Sequence, residues 1–442
     1  MRPTRRLVIV ALALSAAALI PAALNLSYLE QQASLAESLW RIALALTVSL
    51  ALFDWVLVRR TAPIGIERRV RPNIPLNHPA RVELCIHHRF TRRLIVQLYD
   101  QHPEDVACAD MPITVPLHPN EASIVDYHVR PTRRGNLQFG TTELLLPSPL
   151  GLWERRYRTG DVTQIRVYPD FSVISRYLEL VGDQHVSRLG IKLNQRRGEG
   201  LEFHQLRDYR PGDSLRQIDW KATSRRRKLI SKEYQEERDQ QVLFAIDSGR
   251  RMRSHDGELS HFDHALNAML LLAYVALRQG DSVGMLSFGA REHWVPMLRG
   301  VNSINTLLNE VYDLHSGPEA ADYVALAENI MRRQRRRALV VLMTNLREED
   351  QDLIPALRLI RQRHVVLLAN LRESVLDEAL DVDPVNFAEA LTLAGTVHYV
   401  RKRRQVQKTY ERHAHLTIDA RASELPIKVV NSYWQVKRAG IL

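Results

Sequence analysis

Two long apolar runs near the N-terminus, Leu7 to Leu26 and Leu39 to Val58, constrain this chain more than any other feature. Each is about the length a helix needs to cross a hydrocarbon core. Only Ser15, Pro21 and Asn25 interrupt the first; Arg41 and Asp54 stand near the ends of the second. The loop between them, Ser27 to Ser38, carries Glu30 and Glu37 and no Lys or Arg. A cleaved signal peptide is the competing reading of the first run. The second run, arriving after so short a loop, favours a transmembrane helical hairpin. Arg2, Arg5 and Arg6 precede the pair, and Arg59, Arg60, Arg68, Arg69 and Arg71 follow it. Under the positive-inside rule both flanks stay in the cytoplasm. The expectation is a two-pass membrane protein with both termini and all soluble parts cytoplasmic. Asp54 is expected at the interface beside Arg59.

The 442 residues are too many for one ordinary core, so several domains are expected. The net charge of +11 suggests a nucleic acid, an anionic lipid surface or an acidic partner. Cys85 and Cys108 are too few for a disulfide framework and read as ordinary reduced thiols.

From residue 61 to 170 the apolar pattern alternates, as in Arg81 to Ile86, Leu94 to Tyr99 and Ile124 to Val129, and prolines break the runs. Short strands with Pro-rich turns predict a small antiparallel β-sandwich. His87-His88 lacks a second ligand group at metal-binding spacing, so a core or surface role is expected.

Residues 171–240 read as a charged connector. It holds Gly198, Gly200, Glu202 and Phe203, then Arg207, Asp208, Tyr209, Pro211, Gly212 and Asp213, then Arg216, Asp219 and Trp220. The Gly-x-Gly pair is a weak nucleotide signal, with no strand immediately before it and no Gly-Lys-Ser/Thr after it. Ion pairs holding the loop onto its own domain are the first reading, and a partner-docking surface is the second.

From residue 241 to the end, short apolar runs alternate with amphipathic segments. Strands are predicted at 241–246, 282–288, 294–298, 338–343, 365–369 and 416–419. Helices are predicted after Phe262 and at 301–314, 322–333, 348–363, 384–413 and 424–438. This is an α/β domain with a mostly parallel sheet covered on both faces. Ligands in such folds sit at the carboxyl ends of the strands, which puts Asp247 and Thr344-Asn345 at one edge.

Asp247-Ser248-Gly249-Arg250-Arg251 resembles the first motif of von Willebrand factor type A domains, where Asp-x-Ser-x-Ser begins a metal-ion-dependent adhesion site. With the connector motifs and the terminal Lys437-Arg438-Ala439-Gly440, the chain resembles the family catalogued as domain of unknown function 58. That resemblance implies a bacterial inner-membrane protein with a type A-like (Rossmann-like) domain, working beside a MoxR-type AAA+ ATPase. It also implies a degenerate adhesion site: Gly249 and Arg251 replace two serines, Asp322 falls near the threonine position, and Asn345 replaces an aspartate. Asp247, Asp322 and Asn345 could offer oxygens to Mg2+, but Arg251 opposes a cation. An Asp247–Arg251 ion pair is the favoured reading, with no cofactor expected. Asp247, Arg250, Arg251, Asp322 and Asn345 form the expected partner-binding edge.

No nucleophile elbow, His-Glu-x-x-His helix or Walker loop is present in the sequence. The function expected is that of a non-enzymatic, membrane-anchored interaction or scaffold protein, working with the ATPase on client or cell-envelope assembly. The alternative is binding to nucleic acid or anionic lipid through the Arg-rich runs at 225–227, 332–337 and 401–404.

Overall fold

The computed structural model describes residues 1–26, 30–60, 64–119, 121–170, 202–210, 215–235, 239–347, 350 and 352–442. The chain divides into two compact units, Met1–Val167 and Tyr168–Leu442.

In the first unit, Arg5–Ala17, Leu19–Leu26 and Glu30–Arg59 are helical. Two stretches, Arg5–Ala23 and Ser34–Arg59, are long and apolar enough to cross a membrane. Thr4 caps the first helix, its hydroxyl accepting from the Leu7 amide. Both outer ends of the pair meet one strand, Trp153–Thr159. Arg2–Pro3 pairs with it antiparallel, and the Arg155 guanidinium donates to the Val58 and Arg59 carbonyls. The two flanks therefore lie on the same side of the helix pair.

The rest of this unit is β-rich. One antiparallel sheet places Trp153–Thr159, Thr142–Pro147, Leu94–Asp100 and Ile113–Leu117 side by side, and another places Gly65–Arg69, Ala80–His87 and Ser123–Pro131. Burial alternates along the strands: Val96, Leu98, Leu144 and Leu146 are buried on one sheet, Val82, Leu84, Tyr127 and Val129 on the other. A charged pair stitches the sheets together. Arg68 donates to Asp100, and both side chains are shut away from solvent at 3% and 0% exposure. Arg68, read from sequence as a flanking charge, is thus an interior residue.

Asp54 also departs from expectation. It is fully buried, and its carboxylate accepts from the Ser148 hydroxyl and from the Leu150 and Leu152 amides at 2.9 and 3.2 Å. The reason is local. The turn at 148–152 presents a buried hydroxyl and two part-buried backbone amides, and a carboxylate accepts several donors at once. Arg59 instead stacks over the Trp55 ring, 4.4 Å from its centroid.

In the second unit a six-stranded sheet runs in the order His293–Leu298, Ser282–Phe288, Gln241–Asp247, Leu339–Thr344, Val365–Arg372, Leu416–Arg421. All pairings are parallel except the edge hairpin of His293–Leu298 with Ser282–Phe288. Helices His261–Arg278, Ser303–Val311 and Leu425–Arg438 cover one face, packing on Val242, Phe244 and Ile246. Tyr323–Arg333, Leu353–Arg361 and the end of Phe387–Glu411 cover the other, on Leu243 and Ala245. Buried on both faces, the strands need apolar residues at successive positions, which is why they read as continuous runs. Strand order reverses between Gln241–Asp247 and Leu339–Thr344, so the crevice beyond their carboxyl ends is the place this topology offers to a ligand.

A short helix, Ser374–Leu380, was not expected, and the long helix starts at Phe387 rather than near Pro384. Asn386 sets that start by accepting the Glu389 amide at 2.9 Å. Part of the expected connector is regular structure: Glu202–Asp208 pairs antiparallel with Ile230–Gln235, and Trp220–Arg226 is helical.

Candidate functional site at the carboxyl edge of the sheet

The last residue of the central strand, Asp247, is 1% exposed. Its carboxylate is held from two directions. The Gly249 amide donates to Oδ1 at 2.7 Å, and the Thr344 hydroxyl, at the end of the neighbouring strand, donates to Oδ2 at 2.7 Å. The Tyr323 hydroxyl stands 2.9 Å from the same Thr344 oxygen. Burial pushes the Asp247 carboxyl above the usual carboxylate range, while these hydrogen bonds and Arg251 pull it back part of the way. Burial, with Asp247 and Asp350 nearby, pushes the Tyr323 hydroxyl well above its usual value.

Arg251 does not form the expected ion pair with Asp247. Its guanidinium donates to both oxygens of Asp350, one at 2.6 Å. Burial alone would weaken its charge, but Asp350 more than compensates and raises its pKa. Asp350 is additionally fixed by the Arg347 amide at 3.0 Å. The Asp247 oxygens are already engaged by the Gly249 amide and the Thr344 hydroxyl, and both Asp350 oxygens accept from one guanidinium nitrogen, Nη1.

Gly249 occupies a position where the adhesion-site motif has a ligating serine. A Cβ there would lie 2.8 Å from the Glu319 carbonyl and 3.0 Å from Asp247 Oδ1. The neighbouring Gly289, at φ +99°, is equally constrained, since its Cβ would meet the Gly249 nitrogen at 2.8 Å. The backbone closes on Asp247 so tightly that no side chain fits.

The remaining predicted ligands serve other purposes. Asp322 caps the helix Tyr323–Arg333, accepting the Ala325 amide at 2.9 Å. Asn345 turns into a buried polar network: its amide donates to Glu373 Oε1 at 2.8 Å and lies 3.2 Å from His261 Nδ1. Its oxygen accepts from Arg403, which also donates to Asp419 and the Leu371 carbonyl. Among the described residues no group of three or more His, Cys, Asp and Glu is placed to hold a metal ion. The donor set does not fit Mg2+, because Asp350 is taken by a guanidinium and Asp322 and Asn345 are committed elsewhere.

What the edge does present is a cavity of about 220 Å³ lined by Asp247, Gly249, Arg250, Arg251, Asp350 and Asp352 among others. Arg250 is exposed at its rim. Asp247, Arg250 and Arg251 are thus brought together as expected, and Asp322 and Asn345 are not. Sequence reading missed Tyr323, Asp350 and Asp352. The acidic run Glu348-Glu349-Asp350-Gln351-Asp352, a few residues after the strand end at Thr344, was the available signal.

Of the connector motif, Gly198, Gly200, Pro211, Gly212 and Asp213 lie outside the described residues. Glu202, Phe203, Arg207 and Asp208 lie in the first strand of the hairpin, with Tyr209 just beyond it and Arg216 in the turn Leu215–Gln217. Asp219 caps the helix that Trp220 begins, accepting the Lys221 and Ala222 amides at 3.0 Å, with Lys232 3.6 Å away. Trp220 itself is 68% exposed.

Several cations of the Arg-rich runs are engaged by the unit's own groups. Arg333 pairs with Glu292, Arg337 donates to the Ile441 carbonyl, and Arg403 is 7% exposed. Arg225, Arg226 and Arg227 are exposed.

The chain is similar to known proteins over about half of its length or less. It is 24% identical over 242 residues to the uncharacterized protein YeaD of Bacillus subtilis (strain 168), a match covering 51% of this chain and 57% of that one. It is 24% identical over 227 residues to an uncharacterized protein of Mycobacterium tuberculosis (strain H37Rv), covering 50% and 71%. Among solved structures, proximal thread matrix protein 1 from the mussel byssus aligns over 46% of each chain at 11% identity and a TM-score of 0.28. The CARDB domain of a Pyrococcus furiosus protein aligns over 24% of this chain and 92% of that one, at 14% identity and a TM-score of 0.18. The family model described as "Protein of unknown function DUF58" matches residues 205–417. Over those residues the chain belongs to the DUF58 family.

Proposed function

We propose that this chain is a membrane-anchored, non-enzymatic interaction protein whose α/β unit, a von Willebrand factor type A-like domain, docks a partner through the carboxyl edge of its sheet. The observation that carries this reading is the mixed-charge cavity at the strand switch point. Its aspartate is sealed by Gly249 and Thr344, its Arg251 is neutralised by Asp350, and its exposed rim charge is Arg250. A rim of fixed, oriented charges suits steering of a polar protein surface more than turnover of a small substrate. The family resemblance points to a MoxR-type AAA+ ATPase as that partner. The helix pair supports anchoring at the bacterial inner membrane, and the meeting of both its flanks at one strand supports a two-pass arrangement with the soluble parts on a single side, read as cytoplasmic.

The test is Arg250→Glu in the full chain, purified in detergent and titrated with a purified MoxR-type ATPase from the same organism. We expect Kd to rise about tenfold with weaker salt dependence and an unchanged melting temperature. Arg250 is the cleaner probe than Arg251, whose reversal would set a carboxylate against Asp350. A stable Arg250→Glu chain that binds at wild-type affinity would move the docking surface away from this edge, to the hairpin around Arg207 and Asp208.

A further inference from the structure

Between Glu373 and Val400 the chain contains no Lys or Arg, although the whole carries 61 of them and a charge of +11. This stretch holds Asp377, Glu378, Asp381, Asp383 and Glu389 instead. It folds as an arm: the helix Ser374–Leu380, a turn through Asp383-Pro384, then the first half of Phe387–Glu411. The arm is fastened at its base, where Asp377 pairs with Arg372 and Arg421 and Glu373 accepts from Asn345. Its tip is ordered by the Asn386 cap, with the Val385 amide donating to Glu389 at 2.8 Å. Yet the tip exposes its apolar residues: Val385 is 89% exposed, Phe387 83%, Leu391 64% and Val382 51%. Singly exposed apolar residues are ordinary, but a cluster of them on a formed element marks an interaction surface.

The complementary surface lies on the same helix, further along. A cavity of about 330 Å³ opens between the end of the helix and the carboxyl ends of the strands Leu339–Thr344 and Val365–Arg372. Leu346, Tyr399 and Val406 supply apolar walls, and Arg347 and Lys402 stand at its rim. Phe387 and Tyr399 belong to one continuous helix, so about 18 Å of rigid rod separates the tip from the cavity in the same molecule. The tip cannot bend back into it.

We propose that the arm of one copy docks its acidic, apolar tip into the basic-rimmed cavity of a second copy of this chain. Each copy then gives a tip and receives one. The contact is heterologous and propagates until it closes into a ring. Confinement to a membrane by the helix pair raises the effective concentration of copies and favours such contacts. The cavity shares no lining residue with the one beside Arg250, although both open at the carboxyl edge of the sheet, so the arm variant tests this inference and Arg250→Glu tests the docking reading.

The experiment is sedimentation velocity of the full chain in detergent micelles. Wild type is expected to form oligomers in a concentration-dependent manner. The arm variant Val385→Asp/Phe387→Asp is expected to be monomeric, with at least a tenfold weaker association. The cavity variant Arg347→Glu/Lys402→Glu should be monomeric too, and Asp381→Lys/Asp383→Lys, which leaves the apolar tip intact, should weaken association in the same direction. Mixing the arm variant with the cavity variant leaves one intact tip and one intact cavity, so dimers and nothing larger are expected. A monomeric wild type, an arm variant that associates unchanged, or a mixture that stays monomeric would each overturn the proposal.

Discussion

Arg68→Ala is expected to lower the unfolding free energy of the β-rich unit by about 3–5 kcal/mol, the cost typical of removing one partner from a buried ion pair. The geometry explains why the effect should reach that range. All five guanidinium N–H groups are used. Nε donates to Asp100 at 2.9 Å, and Nη1 donates to the Asp161 carbonyl and Thr163 hydroxyl at 3.0 Å each. Nη2 donates to Asp100 and, at 2.7 Å, to the Gly140 carbonyl. Asp100 in turn accepts from the Tyr127 and Thr142 hydroxyls at 2.5 and 2.8 Å. Alanine leaves a buried carboxylate facing two hydroxyls and no cation, and takes a donor from the part-buried Gly140 carbonyl. Lysine restores the charge but cannot reproduce a planar five-donor fork, so Arg68→Lys should recover less than half of the loss. Hydrogen exchange of the amides in Gly65–Arg69 and Thr142–Pro147, read by mass spectrometry on the full chain, measures this locally. Protection within about 1 kcal/mol of wild type would show that the pair does not hold the sheets together.

Asp54→Ala should follow at about 3 kcal/mol, because it leaves one buried hydroxyl and two part-buried backbone amides without their acceptor. The damage is expected at the junction of helix and sheet. Trp153, whose indole donates to the Ala51 carbonyl at 2.8 Å, and the turn at 148–152 should gain exchange and protease sensitivity while the Ala80–His87 strand keeps its protection. Asp54→Asn retains one acceptor oxygen and should lose roughly half as much. Equal protection of the turn in Asp54→Ala and wild type would mean that the carboxylate does not latch the helix pair to the β strands.

Both residues show where sequence reading stopped. The alternation of buried strands and amphipathic helices was legible because apolar periodicity records which face is covered, and it located the six strands of the α/β sheet within a few residues. It also put Asp247 and Thr344 at one edge, since a strand's end is marked by the loss of its apolar run. Partners distant in sequence were not legible. Arg251 finds Asp350 ninety-nine positions away, and nothing in the residues around either one announces the pair. Arg68 and Asp54 read as charges flanking a membrane segment because local composition cannot say that a β sheet will close over them. Asp322 was misassigned for a different reason: a carboxylate one residue before a helix is a capping residue first. Gly249 reads as a lost ligand in sequence and as a steric necessity in the fold, where the Glu319 carbonyl occupies the space a side chain would need.

The central claim, that the carboxyl edge of the sheet is the docking face, is tested most directly by crosslinking in native membranes. A photoreactive amino acid placed at Arg250 lies on the rim of the mixed-charge cavity. One placed at Arg335, ahead of the strand Leu339–Thr344, lies at the opposite, amino end of the sheet. Illumination should link the MoxR-type ATPase to position 250 and not to position 335. Efficient crosslinking at position 335 with none at position 250 would contradict the account.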